Sequence, residues 1–316
     1  MQTALVAGGA GFIGSHLCKK LLKDYKVICV DSLITGNKNN LDDIINNENF
    51  TFLEHDVTKP LDSNLKADYV FHLASPASPN HHSRISYHAL PLETMLANTA
   101  GTLELLKFSE KNNAKFLFTS SSEIYGEPIS HPQKEEDRGN VSTTGPRSVY
   151  DESKRFGETI TAYFGRNRGV DVRIARVFNT YGPFMLKEDM RMIIIFILEA
   201  LNNDPITIFG DGKQTRSLCF VDDTVEGLIR MMFYNDTKGT IINIGSEEEH
   251  TVLDYAELVK KLTKSASEII LSEKLPENDP QMRRPDISRA KKILDWSPKV
   301  SLEEGLTKTI EYLKVL

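Results

Sequence analysis

The first 31 residues place a glycine-rich turn between a short apolar strand and a helix, an order that few folds accommodate. Residues 3–7 are apolar and typical of a buried strand, and an amphipathic helix with Leu17, Leu21 and Leu22 follows the turn. The turn satisfies both G-x-G-x-x-G and the wider G-x-x-G-x-x-G, through Gly8, Gly9, Gly11 and Gly14. These glycines allow a tight turn, close approach of a pyrophosphate and close packing of helix on strand. The unit therefore predicts dinucleotide binding, with the phosphates at the positive N-terminus of the helix.

The next strand, residues 27–30, ends in an acid that indicates which dinucleotide binds. Asp31 could bind both hydroxyls of an adenosine ribose and would repel a 2′-phosphate. Lys38 lies a few residues on, and we interpret it as a surface lysine rather than a phosphate ligand. The sequence therefore favours NAD over NADP.

Strands and helices alternate after Asp31, which predicts an α/β fold with a Rossmann-type, doubly wound parallel sheet and a smaller C-terminal substrate-binding lobe. The later strands are predicted at residues 50–53, 69–74, 115–119, 172–177 and 241–245. Helices are predicted at residues 93–111, 150–167, from 189–191 to 201, from 221, at 251–261, at 287–294 and from 302. We predict an NAD-binding domain at residues 1–178, completed by about 218–245, and a nucleotide-sugar-binding lobe at 179–217 and 246–316.

Composition excludes several other classes of protein. The formal charge of -6 over 316 residues gives no basic footprint for nucleic acid. The longest apolar run, residues 192–198, is far too short to span a membrane, and we expect no secretory signal before the first strand. Three scattered cysteines indicate reduced thiols in a cytoplasmic protein, and His81-His82 has no acid or cysteine at metal-ligand spacing. We therefore expect no metal site and no membrane partner.

Tyr150 and Lys154 form the pair that most directly indicates chemistry. Their spacing of four residues puts both side chains on one face of a helix. A phenol titrates near pH ~10, and a nearby ammonium lowers its pKa. Such a pair can accept a proton from a substrate hydroxyl and return it. The spacing alone is common on exposed helices, and it gains meaning from the nucleotide-binding unit at the N-terminus.

Further motifs lie where predicted strands end. Ser-Pro-Ala-Ser-Pro occupies residues 75–79 after the fourth strand, and Ser121-Ser122-Glu123 follows the fifth. Asn179-Thr180-Tyr181-Gly182-Pro183 begins the C-terminal lobe, and paired arginines lie at Arg283 and Arg284. With the glycine turn and Tyr150-x-x-x-Lys154, these motifs resemble the extended short-chain dehydrogenase/reductase family that acts on nucleotide sugars. The resemblance runs from Thr3 to about Tyr312, and Ser-Pro-Ala-Ser-Pro and Ser122-Glu123 are most similar to its UDP-glucuronate decarboxylases.

The resemblance implies NAD as cofactor and a nucleotide sugar as substrate. It implies cofactor contacts at Gly8, Gly11, Phe12, Ile13, Gly14, Asp31, Ser32, Asp56, Val57, Leu73, Ala74, Ser75, Asn98, Tyr150 and Lys154. It implies substrate contacts at Ser78, Ser122, Asn179, Arg191, Arg216 and Arg283. Arg216 would clamp a phosphate, because a guanidinium binds two oxygens at once.

The implied catalytic residues are Tyr150, Lys154, Ser121, Glu123 and Arg283. Tyr150 would take the proton of the sugar C4 hydroxyl, Lys154 would support it, and Ser121 would bind the C4 oxygen. A C4 ketone of a glucuronate is β to the carboxylate, so carbon dioxide can leave and UDP-xylose forms after reduction. Glu123 and Arg283 would handle the carboxylate and the proton delivered to C5.

The sequence also departs from the decarboxylase pattern. Residues 80–90 form a longer segment than expected, and Glu93 and Leu96 occupy positions where the family has lysines facing the anionic substrate. These departures favour an alternative, a 4-dehydrogenase or 4-epimerase acting on a neutral UDP-, GDP- or dTDP-linked hexose or heptose. A non-enzymatic NAD sensor is a further alternative, but it would not need Ser121, Tyr150 and Lys154 together.

The remaining expectations concern structure and context. We interpret His72, inside a strand, as a structural residue, and the polar residues 131–147 as a loop that could close over a site. The resemblance implies a role in polysaccharide biosynthesis and a homodimer. The dimer would form through the helices at 93–111 and 150–167, packed as a four-helix bundle.

Overall fold

A computed structural model describes residues 1–272, 274 and 279–315 of the chain. Its centre is a seven-stranded parallel sheet in the order β11-β6-β5-β4-β1-β2-β3. The strands are β1 (Thr3–Ala7), β2 (Lys26–Asp31), β3 (Phe50–Glu54), β4 (Tyr69–His72), β5 (Lys115–Ser121), β6 (Val172–Val177) and β11 (Ile241–Ile244). The order reverses between β1 and β4, which is the point where open α/β sheets bind ligands.

Helices cover both faces of this sheet. The helices are α1 (Phe12–Leu21), α2 (Pro91–Leu96), α3 (Thr102–Asn112), α4 (Ser148–Asn167) and α6 (Val221–Phe233). Helices α3 and α4 pack on one face and α1 and α6 on the other. Side chains alternate between the faces along each strand. Phe116 and Phe118 of β5 accordingly lie in one apolar core and Leu117 in the other.

The smaller lobe combines short strands with helices. The helices are α5 (Met192–Asn202), α7 (Val252–Thr263), α8 (Ser288–Leu294) and α9 (Leu302–Lys314). The strands are β7 (Thr180–Tyr181), β8 (Ile206–Ile208), β9 (Thr215–Ser217), β10 (Cys219–Phe220), β12 (Glu249–Thr251), β13 (Ile269–Leu271) and β14 (Met282–Arg283). Thr251 begins α7 with a capping box, in which its side chain and that of Asp254 each bind the other's backbone N–H.

The structure confirms the Rossmann-type parallel sheet and corrects several boundaries. The fourth strand ends at His72 rather than 74, and the fifth continues to Ser121, so this serine belongs to a strand end. The helix expected at 93–111 runs from Pro91 to Asn112, with a π-helical turn at Ala97–Gly101. The helix expected to open at 189–191 begins at Met192, after a separate 3₁₀ turn at Lys187–Asp189. The short strand β11 joins the main sheet beside β6, whereas the proposed domain boundaries stay a prediction.

The three cysteines and His72 all lie in the interior of the protein. Cys18, Cys29 and Cys219 are all buried free thiols. His72 is buried and its Nε2 lies 3.1 Å from the Thr102 hydroxyl, inside the fold. Across the described ranges, none of the helices has the length and apolarity needed to cross a membrane.

Candidate active site

A cavity of about 470 Å³ lies between the carboxyl ends of the sheet strands and the smaller lobe. Its wall contains every predicted site residue except Asn98 and Arg283. The glycine turn, Asp31 and residues 73–75 lie in one part of the lining, and Asn179, Arg191 and Arg216 come from the lobe. The fold therefore brings the predicted cofactor residues and the predicted substrate residues to one continuous site.

The glycine turn forms a cradle that side chains would fill. A Cβ on Gly8, whose φ is +81°, would lie 2.6 Å from the Ala74 backbone nitrogen, and one on Gly14 would lie 2.0 Å from the Gly8 carbonyl oxygen. Helix α1 begins directly after Gly11, and no side chain caps its first turn. The free N–H groups and the close backbone approach fit a bound pyrophosphate.

Asp31 is fixed at the end of β2 by two backbone donors. Ala10 N–H donates to Oδ2 at 2.9 Å and Leu33 N–H donates to Oδ1 at 2.8 Å. Burial raises the pKa of Asp31, and these backbone hydrogen bonds oppose the shift. A Cβ on Gly36 would lie 2.6 Å from Oδ1, so this glycine leaves space at the carboxylate. The arrangement fits an adenosine ribose, and with the glycine cradle it fits NAD.

Tyr150, Lys154 and Ser121 come together where α4 crosses the end of β5. The Lys154 ammonium donates to the Thr119 carbonyl at 2.8 Å and lies 5.7 Å from the centre of the Tyr150 ring. Burial raises the pKa of Tyr150 to about 12, and Ser121 opposes the shift. Burial lowers the pKa of Lys154 to about 7, and Glu158 opposes it. The pKa of Tyr150 is therefore raised by burial, whereas the sequence led us to expect a lowering by Lys154.

A buried charge cluster occupies the wall beside this pair. Arg147 bonds to Glu123, and its Nη1 donates to Asp279 at 3.1 Å. Arg216 donates to the other oxygen of Asp279 at 2.8 Å, and Arg283 Nη2 lies 3.3 Å from Glu123. Burial by itself would raise the pKa of Glu123, but Arg283 and Arg147 lower it to about 2. Glu123 is therefore a carboxylate at neutral pH.

Two predicted residues lie behind the cavity wall. Arg283 is 1% exposed, donates to the Ser122 carbonyl and contacts Glu123 from behind, so it does not face the cavity as expected. Asn98 is also buried, and its side-chain amide donates to the Ser75 and Ser153 hydroxyls at 2.9 and 3.1 Å. Ser75 lines the cavity, so its hydroxyl connects Asn98 to the predicted cofactor site.

Several residues that line the cavity were not predicted from the sequence. Tyr87 is buried and stacks on Tyr150, with ring centres 5.0 Å apart and planes at 15°. Arg147 and Asp279 also line the cavity. Arg147 lies three residues before Tyr150, one turn back on the same helical path, and that spacing was the available signal. Tyr87 and Asp279 carry no comparable local signal.

The lengthened segment, together with Ser78 just before it, connects the two halves of the molecule at the cavity mouth. Ser78 and Ser83 donate at 2.5 Å to the carbonyls of Asp189 and Glu188, and Asn80 donates at 2.7 Å to that of Met190. Glu93 and Leu96, which replace the expected lysines, both lie in the cavity wall. The two residues that differ from the decarboxylase pattern therefore lie in the site itself.

Comparisons with known proteins identify the family of the chain. The family model described as "NAD dependent epimerase/dehydratase family" matches residues 4–245. The chain is 46% identical to UDP-glucuronic acid decarboxylase 1 of Danio rerio over 98% of its length and 72% of the relative's. It is 47% identical to UDP-glucuronic acid decarboxylase 3 of Arabidopsis thaliana over 96% of its length and 86% of the relative's. The chain belongs to the NAD dependent epimerase/dehydratase family, as its motifs predicted.

Solved structures of similar proteins share the fold over nearly the whole chain. A UDP-glucose 4-epimerase of Thermotoga maritima, solved with UDP-glucose, has a TM-score of 0.88 at 32% identity and covers 99% of both chains. A UDP-glucuronic acid 4-epimerase of Bacillus cereus, solved with UDP-glucuronic acid and NAD, has a TM-score of 0.85 at 29% identity, again over 99% of both chains.

Proposed function

We propose that the chain decarboxylates UDP-glucuronate to UDP-xylose through a 4-keto intermediate, with NAD recycled in each turnover. The observation that carries this proposal is the near full-length similarity to proteins named UDP-glucuronic acid decarboxylase. The cavity supports it because Tyr150, Lys154 and Ser121 lie beside a carboxylate–arginine cluster at Glu123 and Arg147.

The glycine cradle and Asp31 would hold NAD, which, when bound, supplies the hydride acceptor for C4 and the donor that later reduces it. Tyr150 takes the proton of the C4 hydroxyl and Ser121 donates a hydrogen bond to the C4 oxygen. Burial lowers the pKa of Lys154 to about 7, and the protonated form of this side chain would balance the charge of the phenolate while it keeps its hydrogen bond to the Thr119 carbonyl.

Loss of carbon dioxide depends on where the electrons of the C5–C6 bond go. They pass into the C4 ketone and give an enolate, and Ser121 and Tyr150 stabilise the charge that develops on its oxygen. A proton must then reach C5. Because the pKa of Glu123 is lowered to about 2, this side chain carries no proton at neutral pH. We therefore assign Glu123 to orienting water or substrate, whereas the resemblance implied that Glu123 and Arg283 together handle the carboxylate and the proton delivered to C5.

A second candidate function rests on Glu93 and Leu96. An acid and an apolar residue in the cavity wall favour a neutral sugar over a carboxylate at that point. On this alternative the same Tyr150, Lys154 and Ser121 oxidise C4 of a hexose or heptose, and the product is a 4-keto sugar or a 4-epimer.

One experiment separates these functions. Purified protein is incubated with NAD and UDP-glucuronate labelled with ¹³C at C6, and the products are followed by NMR and gas analysis. Labelled carbon dioxide with UDP-xylose supports decarboxylation. The Tyr150→Phe variant, which keeps ring and stacking, should lose at least about 100-fold of the rate. Formation of UDP-galacturonate without release of labelled carbon dioxide would instead identify a 4-epimerase, and no reaction would direct the assay to neutral UDP-, GDP- and dTDP-sugars.

The proposed homodimer is supported by exposed apolar side chains on α2 and α4. Leu92, Met95, Phe156 and Tyr163 are 58, 36, 49 and 47% exposed. Phe156→Glu should convert the dimer to a monomer in sedimentation velocity. Ile129→Glu, at an 87% exposed residue outside these helices, is the matched control and should leave the mass unchanged. A wild-type monomer at micromolar concentration would contradict the proposal.

A further inference from the structure

Helix α4 carries a third polar residue, Glu158, that faces the end of β5 beside Tyr150 and Lys154. Tyr150, Lys154 and Glu158 are each four residues apart, so all three lie on one face of the helix. Three consecutive residues of β5 meet them. Ser121 faces Tyr150, the Thr119 carbonyl accepts from Lys154 at 2.8 Å, and the Ser120 hydroxyl donates to Glu158 at 2.6 Å.

Glu158 is held in place from the neighbouring strand. Arg176 of β6 is the register partner of Ser120, and its guanidinium binds both oxygens of Glu158, at 2.9 and 2.8 Å. The Glu158 side chain is 13% exposed and the Arg176 side chain is 8% exposed. Such a bidentate, nearly dry ion pair is geometrically specific, and it ties α4, β5 and β6 together at one point.

The pair also extends toward the polar loop. Arg176 Nη1 donates to the Tyr125 hydroxyl at 3.0 Å and to the Glu135 carbonyl at 2.9 Å. Arg176 is therefore held by Glu158, Tyr125 and Glu135, and its fixed guanidinium in turn fixes the Glu158 carboxylate. The contact is built into the fold rather than formed by a mobile surface charge.

The charges around Lys154 give Glu158 a second consequence. Lys154 is buried over the Phe118 ring of β5. Of the neighbouring elements, β4 contributes His72, whose pKa burial lowers to about 3, and β6 contributes Arg176 behind Glu158. His72 is thus neutral at physiological pH. Among the described residues, Glu158 is the group whose charge raises the pKa of Lys154 against burial.

We propose that Glu158 is a positioning residue that holds Lys154 and the end of β5 in register with Tyr150 and provides the negative charge that keeps Lys154 protonated. The inference rests on the proposed function only in taking Tyr150 and Lys154 as the reacting pair. It does not depend on which sugar is oxidised.

The test follows Lys154 directly, without substrate. Protein is labelled with ¹³C at the lysine ε-carbon, and the Lys154 signal, assigned by its loss in Lys154→Arg, is titrated by NMR. Glu158→Gln keeps the size of the side chain but removes its charge and leaves Arg176 unpaired. The titration midpoint of Lys154 should fall by about one pH unit or more. Glu152→Gln, on the same helix but 37% exposed and paired with Arg155, is the matched control and should not move it.

The double variant Glu158→Gln/Arg176→Gln removes both charges and leaves none unpaired. Its midpoint should lie between those of the wild type and Glu158→Gln. It also carries the test if the single variant fails to fold, because its midpoint should still be below that of the wild type. An unchanged midpoint in a folded variant would overturn the proposal and leave Glu158 a purely structural residue.

The pH profile of C4 oxidation gives a second readout. The high-pH limb of kcat should move to lower pH in Glu158→Gln by the same interval as the NMR midpoint. If no substrate is oxidised by any variant or the wild type, the proposed function fails, while the NMR result still decides the role of Glu158.

Discussion

Helix α4 approaches β5 closely because Gly157 has no side chain. A Cβ at this residue would lie 2.3 Å from Cζ of Phe118, which is 1.1 Å short of the 3.4 Å at which ordinary contact begins. Phe118 is 0% exposed, so its ring has no free space to enter. Gly157→Ala should therefore push α4 away from the strand by about 1 Å and carry Tyr150 and Lys154 with it.

The effects on stability and on rate should differ in size. Overpacking costs about 1–3 kcal/mol, and replacing glycine by alanine in a helix returns about 1 kcal/mol, so the net loss should be about 0–2 kcal/mol. A misplacement of about 1 Å at reacting groups costs about 100-fold in rate. Urea denaturation and kcat/KM for C4 oxidation measure the two quantities. The expected signature is a folded protein with little activity.

Two further variants make this prediction sharper. Thr159→Ala places an alanine at an exposed residue of the same helix and should change neither quantity much. Phe118→Leu combined with Gly157→Ala opens space for the new methyl group and should recover part of the lost rate. Full activity of Gly157→Ala with Phe118 still in place would refute the argument that this contact positions the pair.

Three other perturbations follow from the site. Burial raises the pKa of Asp151 from 3.8 to about 8, and the negative charge of Glu123 adds to this shift. Between these two values the folded protein keeps the proton and the unfolded chain loses it. The free energy of unfolding therefore falls as pH rises through that interval. Asp151→Asn should therefore gain in Tm relative to wild type between pH 4 and 8, and a constant Tm difference would contradict this. Gly14→Ala should abolish NAD binding, measured by fluorescence titration, because the new Cβ would meet the Gly8 carbonyl at 2.0 Å; normal binding would show that the turn is not the cradle. Arg216→Gln should weaken nucleotide-sugar binding, measured by calorimetry, by about 10–100-fold, because one charge-assisted hydrogen bond is lost. An unchanged affinity would exclude a contact between Arg216 and a phosphate.

Local patterns in the sequence were sufficient for the fold and for much of the site. The glycine turn, the alternation of strands and helices and the spacing of Tyr150 and Lys154 are all properties of short windows. Parallel strands bring their carboxyl ends to one edge, so motifs that follow separate strands converge there. Ser121 and Ser75 lie at such strand ends, and the roles predicted for them came from the resemblance to the family.

Contacts between distant parts of the chain could not be predicted in the same way. Asp279 meets Arg147 across 132 residues, and Glu158 meets Arg176 from a neighbouring strand. Charge states depend on burial as well as on partners, and burial is a property of the folded chain. For this reason the sequence predicted a low pKa for Tyr150, whereas its buried hydroxyl has a raised one.

The hydrogen bonds at the cavity mouth have a consequence for how this enzyme can diversify. Ser78, Ser83 and Asn80 all donate to main-chain carbonyls of residues 188–190. A carbonyl is present whatever the side chain, so the amino acids at 188–190 can be exchanged without loss of these three bonds. Side chains at residues 188–190 can therefore change, and with them the selectivity for the sugar, while the same three hydrogen bonds still join the two halves of the molecule.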